Sequence, residues 1–204
     1  MVNLGILISG RGSNMASILE SIKKGRIRNV CPKIVISNRA DAAGLKKAED
    51  YGVPTMAVTT VQKDWEFDKN IIKILYEYGV TPEEGLLCLA GYMKILSTQF
   101  VRVYGMKILN IHPSLLPSFP GLHPQRQAIE HGVKLSGCTV HFVDEGVDSG
   151  PIIAQIAVPI HEDDSVESLS KRILHQEHIL YPNCVKLFCD GRIKICNRVV
   201  KIIQ

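Results

Sequence analysis

Short apolar runs alternate along this chain with stretches whose apolar residues recur every three or four positions. That alternation is the mark of strand–helix–strand units built around a mainly parallel sheet. Leu4 to Ser9 reads as a first strand and Ser13 to Lys24 as a helix ended by Gly25. Lys33 to Ser37 is a second strand, and a short helix from about Ala42 to Tyr51 stops at Gly52. Thr55 to Val58 gives a weaker strand, and Trp65 to Tyr78 a helix closed by Gly79. Gly85 to Ala90 is a buried strand, Ser97 to Tyr104 a short helix capped by Ser97, and Lys107 to Ile111 the next strand. The second half changes character. Cys138 to Val143 and Ile152 to Ile160 read as strands joined by a turn-rich segment, and Val166 to Phe188 as the longest helix. Pro182 should kink or divide that helix, and Arg192 to Ile203 reads as a short hairpin around Asn197. The fold class expected is α/β: a mainly parallel twisted sheet with helices on both faces, a Rossmann-like N-terminal half and mixed C-terminal strands.

Composition narrows the picture. With 204 residues and 46% hydrophobic content, the chain is long enough for one large domain, and no linker interrupts the pattern. The apolar runs are far too short to span a bilayer, and the first residues carry no basic leader or cleavage signature. A cytoplasmic protein with no membrane partner is expected. The formal charge is +4, with Lys and Arg scattered rather than clustered, so nucleic acid is not implied; anionic small molecules explain the balance as well. The six cysteines form no C-x-x-C pair, the seven histidines no ligand spacing, and reduced thiols without a metal are expected.

The most informative stretch is ILNIHPSLLPSFPGLHP, from Ile108 to Pro124. A strand's period of two places Asn110 and His112 on one face, just before a run of four prolines that continues neither ladder nor helix. An amide and an imidazole side by side at a strand end can stabilise a developing oxyanion. A third member should be a loop acid. Asp144, Glu145 and Asp148 all lie in DEGVDSGP, and spacing alone does not choose among them. Ser114 and Ser118 lack a G-x-S-x-G elbow, which argues against a serine hydrolase.

At the first strand–helix junction stands SGRGSN, Ser9 to Asn14. Glycines allow close backbone approach, and a helix start offers free N–H groups to an anion. The third glycine of a dinucleotide fingerprint is replaced by Met15, and no Walker lysine follows, so a cup for a monophosphate fits better. The rival reading is a turn whose Ser13 or Asn14 merely caps the helix. AGYMKIL, Ala90 to Leu96, leaves a buried strand where open α/β sheets bind ligands, an apolar slot with one cation.

Together SGRGSN, AGYMKIL, NIHPSLLPSFPGLH, TVHF, DEGVDSGP and QEHILYP resemble, in order and spacing, the phosphoribosylglycinamide formyltransferase family, across essentially Val2 to Ile195. The resemblance implies one formyltransferase domain over residues 1–204. Its nucleotide-binding half would run to about 105, and its catalytic and folate-binding half from about 106. The implied reaction takes a formyl group from 10-formyltetrahydrofolate to the amine of phosphoribosylglycinamide, without metal, in a monomer or homodimer. It implies Asn110, His112 and Asp148 as the catalytic trio, with Gly12, Ser13 and Asn14 holding the substrate phosphate and Glu177 its ribose. Met93, Lys94, Ile95 and Leu96, with Asn110 and the loop Asp144, Glu145, Gly146, Val147 and Asp148, would frame the folate. Thr139, His141 and His123 would support the site. On this reading Asp148 keeps His112 protonated. One departure stands out: members often carry an arginine just before the helix near Trp65, where this chain has Asp64 beside Lys63. Rival members of the wider group, a formyltetrahydrofolate hydrolase or the methionyl-tRNA enzyme, are expected to carry further domains. A non-catalytic nucleotide-binding module would leave the trio without a purpose.

Overall fold

The computed structural model of the chain describes residues 1–59 and 64–203. β1 (Val2–Ile8) feeds α1 (Ser13–Lys23) through the glycine-rich turn, and β2 (Val30–Ser37), α2 (Ala43–Asp50) and β3 (Thr55–Ala57) follow. Then come α3 (Asp64–Glu77), β4 (Gly85–Leu89), α4 (Thr98–Tyr104) and β5 (Ile108–His112). The second half holds α5 (Pro124–Glu130), β6 (Leu135–Phe142), β7 (Ile152–Pro159), α6 (Val166–Cys189) and the hairpin β8 (Ile193–Cys196) and β9 (Val199–Ile202). The expected elements are present with ends displaced by a few residues. Helix α5 was hidden among prolines: Pro124 starts it, where a missing N–H is harmless, after His123 in a left-handed backbone conformation.

Seven strands form one sheet in the order β3-β2-β1-β4-β5-β6-β7. The first five are parallel, and β6 and β7 run antiparallel to their neighbours. Connection direction reverses between adjacent β1 and β4, which opens a crevice at their carboxyl ends.

Strand periodicity sorts the apolar residues into two cores. Leu4, Ile6, Ile8, Leu86, Cys88, Leu109 and Ile111 pack with Met15, Ile18, Ile173 and Tyr181 of α1 and α6. Leu7, Leu87, Leu89 and Ile108 pack on the opposite face with Phe67, Ile71, Phe100 and Tyr104 of α3 and α4. Each such side chain contributes about 1.5–3 kcal/mol on burial. Asn110 and His112 have the parity of Ile108, so they continue the α3/α4 face beyond its apolar cover.

Of the kink or division expected at Pro182, the division does not occur: helix α6 runs unbroken through that residue. Leu180, Tyr181, Cys184 and Val185 around it are buried against the sheet, and the Tyr181 hydroxyl donates to the Leu89 and Leu109 carbonyls at 3.1 and 2.9 Å. That packing offsets the missing amide. The six cysteines are free thiols, and burial pushes Cys138, Cys184 and Cys189 up to about 12, leaving them inert. Among the described residues no helix is long and apolar enough to cross a membrane.

Candidate active site

The glycine-rich turn forms a cup at the carboxyl edge of β1. Gly12 precedes α1 with a φ of 64°, and no side chain caps the helix. The rival reading, with Ser13 or Asn14 serving as a cap, is therefore not realised, and the first-turn amides stay uncapped by side chains. A Cβ on Gly12 would lie 2.9 Å from the Gly44 Cα, so glycine is required both for backbone shape and for the close approach of α2. Lys47 of α2 donates to the Arg11 carbonyl at 2.8 Å and steadies the turn. From α6, Glu177 accepts a 2.7 Å hydrogen bond from Asn14 Nδ2, while the buried Asn14 Oδ1 has no partner. Burial is the main influence on Glu177 and raises its pKa, with the Asn14 bond acting the other way.

The second cluster lies where β5 meets β6. Their register sets Asn110 opposite His141 and His112 opposite Thr139, so four polar side chains share one face. The loop after β6 doubles back over that face: Val143 bonds to the Ile108 carbonyl, yet Asp148 returns to the end of β5. Asp148 Oδ2 lies 3.2 Å from His112 Nδ1 and accepts from the Gly121 amide at 2.8 Å. Its Oδ1 accepts from Asn110 Nδ2 at 3.3 Å and is 3.7 Å from His141 Nε2. The Asn110 amide also lies 3.2 Å from His141 Nε2, and His141 Nδ1 donates to the Phe142 carbonyl at 2.8 Å. In the tautomer with the proton on Nδ1, His141 Nε2 accepts from Asn110. Thr139 ties down the proline loop. Its hydroxyl donates to the Ser114 carbonyl at 2.7 Å and accepts from the Leu116 amide and from Gln155, at 3.1 and 2.9 Å.

His112 sits between two acceptors, with Nε2 2.9 Å from the Phe119 carbonyl and Nδ1 facing Asp148. Burial is the largest influence on the ring and lowers its pKa; the Phe119 bond and the Asp148 charge oppose it, and His141 adds to it. The net is a ring held below the ordinary imidazole value. This corrects the expectation that Asp148 keeps His112 protonated: the carboxylate pulls that way, but desolvation outweighs it. Asp148 itself is lowered. Burial, its largest single influence, raises it, but His141, the Gly121 amide and the imidazole charges together prevail. Near neutrality an ionised Asp148 thus faces a neutral His112.

Beside the cluster opens a cavity of about 410 Å³, large enough for a small heterocyclic ligand. Met93 to Leu96 and the whole Asp144 to Asp148 loop line it, as do Asn110, His112, His141 and His123. Ser9 joins this slot to the cup, accepting from the Met93 amide at 2.8 Å and donating to Asn38 at 2.7 Å. Lys94 lies over the Phe67 ring, 4.7 Å from its centre, rather than standing free in solvent. Lys63 and the side chain of Asp64 fall outside the described residues. Among the described residues no group of His, Cys, Asp and Glu is arranged to hold a metal.

The structure thus brings Asn110, His112, Asp148, His141 and Thr139 together, with Gly12, Ser13, Asn14 and Glu177 in a neighbouring group at the same sheet edge. Sequence reasoning missed the Gly121 amide, the Phe119 carbonyl and Gln155. It also missed two arginines on the acid loop. Arg102 of α4 pairs with Glu145 at 2.8 and 3.1 Å, and Arg198 lies 3.7 Å from Asp144. None had a motif; the positive φ at Phe119, Gly121 and Asp148 is visible only in the backbone.

Residues 2–185 match the family model described as formyl transferase. The chain is 41% identical over 196 residues to phosphoribosylglycinamide formyltransferase of Escherichia coli (strain K12), covering 95% of this chain and 90% of that protein. It is 43% identical over 200 residues to the trifunctional purine biosynthetic protein adenosine-3 of Drosophila pseudoobscura pseudoobscura, covering 97% of this chain. The chain spans only 14% of the length of that larger relative. The crystal structure of glycinamide ribonucleotide transformylase 1 from Symbiobacterium toebii superposes with a TM-score of 0.95 at 48% identity, covering 100% of this chain and 95% of that one.

Proposed function

The chain belongs to the formyl transferase family, and from that premise we propose that it moves the formyl group of 10-formyltetrahydrofolate onto the amine of phosphoribosylglycinamide, a step of purine biosynthesis, as one domain over residues 1–204. The observation that carries this reading is the meeting of Asn110, His112 and Asp148 within 3.2–3.3 Å, on the wall of an apolar cavity and beside an uncapped helix start.

Attack of an amine on a formyl carbon places negative charge on the former carbonyl oxygen and a surplus proton on the amine. Asn110 and His112 would be the donors for that oxygen, each turning to it one N–H now given to a neighbour: Asn110 from Asp148 or His141, and His112 Nε2 from the Phe119 carbonyl. A donor of this kind contributes about 3–4 kcal/mol to the barrier when preorganised. His112 is suited to take up the proton. A neutral ring satisfies only one of its two acceptors, the Phe119 carbonyl or Asp148, whereas the imidazolium satisfies both. Protonation during the reaction therefore relieves an unmet acceptor, and the ionised Asp148 stabilises the charge formed. Collapse of the tetrahedral intermediate would then break the bond from the formyl carbon to the folate nitrogen, which takes that proton from His112 as it leaves.

The slot between Met93–Leu96 and Asp144–Asp148 fits a flat apolar heterocycle, and it would hold the folate. Gly12, Ser13 and Asn14 would take the substrate phosphate and Glu177 the ribose hydroxyls. The test is one assay. The protein is given 10-formyltetrahydrofolate with and without phosphoribosylglycinamide, and loss of the formyl donor together with formation of the formylated amine is followed. Consumption only when the amine is present is the result expected. Consumption without the amine would mean hydrolysis, and none in either arm would overturn the assignment.

A further inference from the structure

The segment matched by the formyl transferase model ends at residue 185, so the hairpin β8–β9 lies beyond it. The hairpin is nonetheless built onto the body of the protein. Ile193, Ile195 and Val200 pack against the larger core, and Ile203 and Arg192 exchange backbone and side-chain hydrogen bonds that close its base. Its turn, Asn197–Arg198, is thereby aimed at the loop between β6 and β7. There Arg198 Nη2 donates to the Ser149 carbonyl, and Nη1 sits 3.7 Å from Asp144 Oδ2.

We infer that Arg198 is a positioning residue for Asp148, so that the C-terminal hairpin forms part of the reaction machinery. This rests on the formyl-transfer reading for its kinetic consequence, though not for its structural one. Asp148 adopts a φ of 50°, a conformation that a non-glycine residue keeps only when its surroundings impose it. On the far side of Asp148 the peptide is pinned twice. A Cβ on Gly150 would come within 1.8 Å of the Phe142 carbonyl, so that residue is pressed against β6, and Arg198 grips the carbonyl just before it. On the near side, Asp144 accepts from the Gly146 amide at 3.2 Å and from the Ser149 hydroxyl at 2.6 Å. Arg198 draws this knot to the hairpin, and Arg102 holds the loop's outer flank through Glu145. The Arg198 side chain is largely exposed, so its ion pair adds little to global stability. Its effect lies in direction: it fixes the Ser149–Gly150 peptide, one residue beyond Asp148.

The experiment compares the full chain with Arg198→Ala and Arg198→Lys, reading amide hydrogen exchange over residues 143–150 and steady-state kinetics of formyl transfer. For Arg198→Ala, exchange across the loop should quicken at unchanged melting temperature. The kcat should fall about tenfold, since small misplacement of a reacting group is enough, while KM for the amine substrate stays put. Arg198→Lys should recover part of the loss, because an ammonium keeps the charge without the forked donors. Asp144→Asn should mimic Arg198→Ala, and the double variant should be no worse than either single one. Unchanged loop exchange in Arg198→Ala, or unchanged kcat, overturns the inference. If the wild-type chain transfers no formyl group, the functional reading fails separately, and exchange alone decides whether Arg198 holds the loop.

Discussion

The Asp148 carboxylate lies 3.2 Å from His112 Nδ1 while its own backbone is held at a φ of 50°, so the acid that faces the imidazole is also one of the strained residues. Strain of this sort persists where geometry matters more than local comfort. Asparagine tolerates the same backbone region but cannot carry the charge. Asp148→Asn should therefore fold with a modestly lowered melting temperature, since one of its two acceptor oxygens becomes a donor facing Gly121 or Asn110, and lose turnover by roughly 100- to 1000-fold. Thermal unfolding beside single-turnover kinetics checks this, and comparable turnover in the variant would remove Asp148 from the mechanism.

The lowered pKa of His112 gives a pH dependence with a definite sign. The folded protein binds this proton less readily than the unfolded chain, whose imidazole keeps its ordinary value near 6.5. The ring's contribution to stability is thus fully present above about 6.5 and is lost as pH falls through the folded value. Catalysis that needs a neutral ring should fail on the same acid side. The His112→Gln variant should lose the part of the stability–pH curve lying just below 6.5, as measured by urea midpoints across pH. A curve identical to wild type would show that the ring does not titrate differently on folding.

Glu177 leads to the opposite sign. Its pKa is raised by burial, so its stabilising contribution is present below about 4.5 and declines as pH rises through the folded value. Glu177→Gln keeps an acceptor for Asn14 while removing a buried charge. It should raise stability at alkaline pH and leave it unchanged in acid. It should also raise KM for the ribonucleotide substrate with little change in KM for the formyl donor. Melting curves at two pH values and substrate titrations separate these effects.

Thr139 does not line the cavity, yet its hydroxyl serves the Ser114 carbonyl, the Leu116 amide and Gln155 together. Thr139→Val keeps the shape and strands buried polar groups. Destabilisation of about 2–3 kcal/mol is expected, with a fall in kcat as the proline loop loosens. Denaturant unfolding reads the first, and a midpoint unchanged from wild type would show that Gln155 alone holds the loop.

Much of this architecture was legible in the chain because local and global preferences agree. Alternation along β1 and β4 separates the two cores, and Asn110 with His112 announces its shared face by a spacing of two. Helix α5 was hidden because a histidine in left-handed backbone and a leading proline read as loop chemistry. The charge state of His112 was misjudged because sequence shows a neighbouring acid but not the depth of burial that outweighs it. Continuity of α6 through Pro182 belongs to tertiary packing that no local rule records. Arg102 and Arg198 lacked any motif, since each acts across a distance in the chain that only folding closes.

The two faces of the sheet divide the labour. Asn14 and Glu177 stand on the side of α1 and α6, whereas Asn110 and His112 look out over the side of α3 and α4. On the proposed reading, the formyl donor and the ribonucleotide would lie on opposite sides of one sheet edge, and amine and formyl carbon would meet across the end of β5. Initial-rate patterns with both substrates varied would then show whether either can bind first.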